Sequence, residues 1–321
     1  MTKPTRSLLT AIFMFTAGLA QVFAQDYPNK GIRVAVGATP GGPLDTVMRL
    51  VGDRMKDSLG QPILVDNRPG AGGVISFDLV RAAAPDGYTL LMSNAGLTAA
   101  KFIMKAFTAD ALNDFTHIGQ MTNIPMMFVV NAGSPYKSVT DFLSFARANP
   151  GKINMGSLSG HFAMDIALLQ SLARIQVTTV QYGGTAQQQL ALLGSVIDVA
   201  LDPYSGAKPG VDQGKTRFLA LAGAKRFALA PEIAAVAEFV PGFEGSDNWF
   251  GLAGPAGLPP PIVARLNASL RGAILAPDIK KRLNDIGFDV IAGSPEDVRG
   301  MIARDLERMA KAAALAGIKP Q

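Results

Sequence analysis

Cysteine is absent from the 321 residues. That excludes disulfide staples, thiolate metal sites, thiol nucleophiles and lipid attachment at an N-terminal cysteine. Histidine is scarce: only His117 and His161 occur, so a multi-histidine metal centre is excluded too. Charge is also sparse. Asp, Glu, Lys and Arg make up 17% of the chain, below the usual ~25%, whereas hydrophobic residues reach 48%. Disordered or nucleic-acid-coating tails are charge-rich and poor in apolar residues, so none is expected. The formal net charge of +5 is too mild to argue for nucleic acid or a membrane surface as partner. The 34 Gly and 21 Pro show no collagen-like period and no repeat stands out, so they read as punctuation of tight turns. The length corresponds to about two domains at roughly 150 residues each.

Only one long uncharged apolar run occurs, from Leu8 to Leu19. It is short of the about 20 residues a membrane span needs. Lys3 and Arg6 precede it, and Val22-Phe23-Ala24 follows with residues of the size signal peptidase reads. The expectation is a secretory signal over 1–24, cleaved after Ala24, and a periplasmic destination.

The remainder alternates short β-rich runs with helical ones. Strands are predicted at Ile32–Val36, Ile63–Val65, Thr89–Met92, Thr116–Met121, Met126–Val130, Ile153–Met155, Val177–Val180, Val196–Leu201 and Phe218–Leu221. Val47, Leu50, Val51 and Met55 give Leu44–Leu59 helical spacing, and Val74–Ala83 is a second helix. From Pro260 onward the chain reads as helical, over 262–275, 278–286 and 295–315. Ser294-Pro295-Glu296-Asp297 is a helix start, with Pro in the first turn and two carboxylates at the positive end of the dipole. Strand–helix alternation predicts an α/β fold with parallel sheets.

Small, glycine-rich, hydroxyl-bearing turns follow five of these strands: 37–43, 93–96, 156–160, 183–185 and 202–206. Ligands of open α/β sheets bind outside the carboxyl ends of the strands. Loops of this composition let backbone N–H groups approach a ligand, and each leads to a helix N-terminus, which suits an anion. Other motifs fail. Gly70-Ala71-Gly72-Gly73-Val74-Ile75 begins like a dinucleotide fingerprint but ends on a bulky Ile75 and is separated from its strand by Asn67-Arg68-Pro69. Gly156-Ser157-Leu158-Ser159-Gly160 resembles a nucleophile elbow with Leu158 where the nucleophile belongs. No Walker lysine follows a glycine loop. A Ser–His pair with His161 is conceivable, but no adjacent acid–His geometry can be argued from the sequence, and His117, in an apolar strand, reads as structural.

Long ordered blocks resemble the Bug, or TctC-like, extracytoplasmic solute receptors of tripartite tricarboxylate transport systems. They include Tyr27-Pro28-Asn29-Lys30-Gly31-Ile32-Arg33, Gly41-Gly42-Pro43-Leu44-Asp45, 60–62, 65–73, Pro85-Asp86-Gly87-Tyr88-Thr89-Leu90, 149–152, 224–226, 249–257 and 316–320. The resemblance implies a two-lobed periplasmic binding protein (a type II Venus flytrap) with two inter-lobe crossings. On this sequence, lobe one is 25–123 plus 246–321 and lobe two is 124–245. Met126–Val130 and Trp249–Ala253 would follow the crossings, and Trp249, the only tryptophan, would be lobe-core packing.

Carried over by position, the resemblance implies ligand contacts from Thr39, Pro40, Gly41, Gly42 and Asp45, and from Ser93, Asn94, Ala95 and Gly96, in lobe one. In lobe two it implies Ser157, Leu158, Ser159, Gly160, His161, Tyr182, Gly183, Gly184, Thr185 and Asp202. Two features depart from the family pattern. The loop after Ile153 is about two residues shorter, with Ala163 where the family carries a histidine. Gln181-Tyr182-Gly183-Gly184 stands where the family has Pro-Tyr-Lys-Gly. The function implied is capture of a small carboxylate (a dicarboxylate, an amino acid or an aromatic acid) for integral membrane transporter subunits or for signalling to a sensor kinase. A monomer is expected, with no cofactor, no metal and no nucleic acid. The rival is a secreted hydrolase, for which no poised nucleophile and base are assembled.

Overall fold

A computed structural model describes residues 27–245 and 248–320. The expected signal over 1–24 lies outside the described residues. In chain order the first elements are β1 (Ile32–Val36), α1 (Pro43–Leu59), β2 (Ile63–Asn67), α2 (Val74–Arg81), β3 (Thr89–Asn94), α3 (Gly96–Ile103) and β4 (Phe115–Ile124). Next come β5 (Met126–Asn131), α4 (Val139–Ala148), β6 (Asn154–Ser157), α5 (Gly160–Ala173), β7 (Thr178–Gln181), α6 (Thr185–Leu193), β8 (Val199–Pro203), α7 (Tyr204–Asp212) and β9 (Thr216–Leu221). The last are β10 (Asn248–Pro255), α8 (Pro260–Ile274), α9 (Pro277–Asp285), β11 (Asp289–Val290) and α10 (Pro295–Ala316).

The strands form two sheets, one ordered β11-β4-β10-β3-β1-β2 and the other β7-β6-β8-β5-β9. Continuous apolar runs such as Val34-Ala35-Val36 and Leu90-Leu91-Met92, all fully buried, arise because the first sheet is covered on both faces. Ile32, Val34 and Val36 pack with α1 and α8, whereas Ala35 packs with α2 and α3. The second sheet likewise lies between α4 and α5 on one face and α6 and α7 on the other.

The expectation of parallel sheets needs correction. β1, β2 and β3 are mutually parallel, as are β6, β7 and β8, but β10 runs antiparallel to β3 and β4, and β5 antiparallel to β8 and β9. The cause is the passage between sheets. β4 ends at Ile124 and β5 begins at Met126, so the chain enters the second sheet at the end where β8 leaves it. Met126 accordingly pairs with Pro203. β10 enters the first sheet beside the end of β4, with Asn248 opposite Ile124. Val196, read as a strand start, is 64% exposed; Ser195 takes a left-handed φ of 57° and the strand begins only at Val199.

Candidate functional site

All five loops picked from turn chemistry sit at carboxyl ends of strands, and each delivers a helix: α1, α3, α5, α6 and α7. The residues before these helices are Gly42, Ala95, Ser159, Gly184 and Pro203, and none makes a side-chain cap. At α3 the first N–H, that of Gly96, is taken by Asn94 Oδ1; at the other four no side chain of the residue before the helix consumes a first-turn N–H. α4 and α10 differ: Ser138 with Asp141, and Ser294 with Asp297, form complete capping boxes.

In the first loop, Gly41 adopts a left-handed φ of 81°, and its N–H donates to Asp45 Oδ2 at 2.8 Å. Arg49 Nε donates to both Asp45 oxygens (3.0 and 2.9 Å), and Asn67 Nδ2 donates to Oδ1 at 2.9 Å. Asn67 also holds the Ala38 carbonyl at 3.0 Å. Burial pushes the Asp45 carboxyl up, but these donors outweigh it and leave its pKa below the ordinary carboxylate value. Asp45 is thus a charged brace inside its own loop, with its lone pairs engaged by Gly41, Arg49 and Asn67. Thr39, Pro40 and Gly41 are exposed.

The loop at Ser93–Gly96 is shaped by Asn94, whose Oδ1 accepts the Gly96 N–H at 2.7 Å. Ser93 and Ala95 are buried, and the Ser93 hydroxyl has no partner among the described residues. Between this loop and the first lies the glycine block rejected as a cofactor loop. A Cβ on Gly37 would stand 2.9 Å from Gly73 Cα and 2.7 Å from Ser76 Oγ, and one on Gly96 would stand 3.2 Å from the Gly72 carbonyl oxygen. The block is a spacer: glycine on both sides lets three loops lie backbone against backbone.

In the second sheet, Ser157 Oγ donates to the Ser159 carbonyl at 2.9 Å, and the Tyr182 N–H donates to the Ser157 carbonyl at 2.9 Å. Leu158 packs against the core behind. A Cβ on Gly160 would stand 2.9 Å from Ile103 Cδ1, so α3 closes directly on the start of α5. Gly183 is exposed, and nothing lies within 4 Å of a Cβ built on Gly184. Asp202 is fully buried; Oδ1 accepts from Thr185 Oγ1 at 3.0 Å and Oδ2 from Gln189 Nε2 at 2.6 Å. Burial dominates here, because its donors are neutral, and pushes the Asp202 carboxyl up to about 6.

The two histidines are both buried. His117 Nε2 lies 2.8 Å from the Ala111 carbonyl, and burial lowers its pKa to about 4. Neither ring nitrogen of His161 has a hydrogen-bond partner among the described residues. Burial lowers its pKa against the opposing charges of Asp165 and Asp305. Trp249 is fully buried among Phe77, Leu91 and Ile302. Two cavities, of about 570 and 780 Å³, are lined by none of the residues predicted to touch ligand. The smaller one borders the crossing at 123–126 and the edge strands β9 and β11.

The sequence profile of the tripartite tricarboxylate transporter family receptor matches residues 47–316. The chain belongs to that receptor family. Receptors of this family are extracytoplasmic, and among the described residues no helix is long and apolar enough to cross a membrane. BugT of Bordetella pertussis is 30% identical over 307 residues, covering 93% of each chain. Among solved structures, R. palustris Rpa4515 with adipate superposes with a TM-score of 0.81 at 29% identity, covering 92% of this chain and 100% of that one. MatC of Rhodopseudomonas palustris with bound malate gives 0.76 at 30% identity, covering 89% and 99%. The two-sheet architecture is thus that of the family's periplasmic binding proteins. The residues that sequence reasoning missed around the loops are Asn67, Gly72, Gly73, Ile103 and Gln189. Only the glycines carried a sequence signal, and it pointed to a different use.

Proposed function

We propose that this receptor captures a small carboxylate, a dicarboxylate foremost, between the loops 39–45 and 93–96 of the first lobe and the loops 157–161, 182–185 and 202 of the second. The observation that carries it is the row of helix starts at α1, α5, α6 and α7 without side-chain caps, set with the loop at 93–96 among loops that contain no lysine or arginine. Such a site offers backbone N–H groups and hydroxyls to an anion at the positive ends of helix dipoles. The adipate- and malate-bound relatives support carboxylates as the ligand class. The bodies that close are 25–123 with 246–321, and 124–245, pivoting at the crossings.

The receptor acts as a periplasmic monomer, exported by the signal over 1–24 and cleaved after Ala24. It hands its ligand unchanged to integral membrane subunits, or presents the closed form to a sensor kinase. Protein purified from periplasm without denaturation tests this. Mass spectrometry is expected to find a chain beginning at Gln25 and one carboxylate per chain, and calorimetric titration with C4 to C6 dicarboxylates is expected to saturate at one per chain. Turnover of an ester or amide, or no carboxylate bound by either measurement, would sink it.

A further inference from the structure

One helix, α10, serves two cores. Val298, Met301 and Ile302 pack with Leu91 and Trp249 beneath the first sheet. Further along, Met309 and Ala312 pack with Phe128, Leu168 and Val199 beneath the second. Helical spacing places Asp305 and Arg308 on the same buried stripe, between the two apolar sets. Both are charged, and both are more than nine-tenths buried.

Arg308 Nη1 donates to Asp165 Oδ1 on α5, and Nη2 donates to Asp305 Oδ1, each at 2.5 Å. The second oxygen of Asp305 meets the Thr98 hydroxyl of α3, which also lies 2.8 Å from the Ala95 carbonyl. A polar chain therefore runs from Thr98 on α3, through Asp305 and Arg308 on α10, to Asp165 on α5. Burial works against the charge on Arg308, but the two carboxylates outweigh it and raise its pKa. α3 and α5 are the helices whose N-termini carry Asn94–Gly96 and Ser157–Gly160.

Stability alone does not account for burying these charges. Apolar replacement of a buried ion network commonly leaves a protein as stable or more so. What charge-assisted bonds add over apolar contact is direction: a side chain in an apolar seam slides and repacks, whereas a guanidinium that slips by about 1 Å leaves the range of a hydrogen bond.

We propose that Arg308 is a positioning residue. With Asp305 it straps α3 to α5, fixing the separation of the ligand loops those helices carry, so that lobe movement is rotation about this strap and the cleft opens at the side of α1 and α6. The proposal rests on the ligand lying between those loops, but the strap itself is read without ligand.

Because the chain has no cysteine, Asp53→Cys on α1 and the 71% exposed Leu190→Cys on α6 give a unique pair of spin-label sites. The distance distribution of ligand-free protein is measured in the otherwise unaltered chain, in Arg308→Lys, and in Asp165→Leu/Asp305→Leu/Arg308→Met. Affinity is measured with adipate and malate as probes, and thermal unfolding controls for fold. The strap predicts a distribution at least twice as broad in both variants and affinity at least tenfold weaker, with the triple variant melting no lower. An unchanged distribution in the folded triple variant would overturn it. Should that variant not fold, Arg308→Lys decides by the same width. If neither probe binds the unaltered protein, the carboxylate reading has failed, and the strap still stands or falls on the ligand-free distances.

Discussion

Asp45 and Asp202 occupy similar places, each buried beside a loop at a strand's carboxyl end, yet the two lobes treat them oppositely. Asp45 has a cation, an amide and a backbone N–H around it, and its pKa falls. Asp202 has a threonine and a glutamine, and its pKa rises to about 6. Asp202 is the more deeply desolvated of the two and has no cation beside it, so burial wins there, whereas the arginine, the Gly41 N–H and the Asn67 amide together win at Asp45. The first lobe thus holds a charged carboxylate that shapes a loop, and the second holds a carboxyl whose protonation changes at about pH 6.

Removing the brace is the largest test of that contrast. Asp45→Ala removes the charge-assisted bonds from the Gly41 N–H, Arg49 and Asn67 and is expected to cost about 3 kcal/mol, read as a lower urea midpoint with an unchanged slope. A loss no greater than that of an exposed helix substitution would show that Arg49, itself 53% exposed, supplies no more than a surface contact.

The next effect concerns pH. Because the folded Asp202 pKa lies above its ordinary 3.8, this group stabilises the fold fully below that value. The contribution, of order 2–3 kcal/mol, is lost as pH rises through about 6. Asp202→Asn should flatten the fall in stability between pH 4 and 6.5. A variant that keeps the same slope assigns the titration to another group.

The smallest effect separates loop backbone from side-chain charge. Gly184 has an extended φ of 174° and open space around its Cβ position, so Gly184→Val should fold normally. Gly42→Val meets the Thr39 carbonyl at 3.2 Å, a contact a small loop shift relieves. Each is expected to weaken carboxylate binding more than tenfold, about 1.4 kcal/mol, and affinity should change little between low and high salt. Steep salt dependence with both valine variants binding normally would move the anion site to a cluster of cations elsewhere.

The strands were legible where burial on both faces makes a continuous apolar run, as at Val34–Val36 and Met126–Val130. Their direction was not. Whether β10 lies parallel or antiparallel depends on where the chain re-enters the first sheet, which no local pattern records. The five loops were legible because turn chemistry is local. The environment of Asp45 was legible in part: Arg49 stands one helical turn away, but Asn67 comes from the next strand. The environment of Asp202 gave no hint, since Thr185 and Gln189 reach the end of β8 from α6. The role of α10 could have been suspected, because Asp305 and Arg308 interrupt an otherwise apolar stripe at helical spacing.

The placement of β10 and α10 also sets an order of assembly. β3 and β4 are joined only through β10, so a chain ending before Asn248 lacks the middle of its first sheet. The second core is no more independent, since Met309 and Ala312 belong to it. Neither half can finish until almost the whole chain is present, and contacts this distant in sequence form slowly. A polypeptide threaded through a membrane N-terminus first would stay pliable for the whole passage and gain its structure only on the far side.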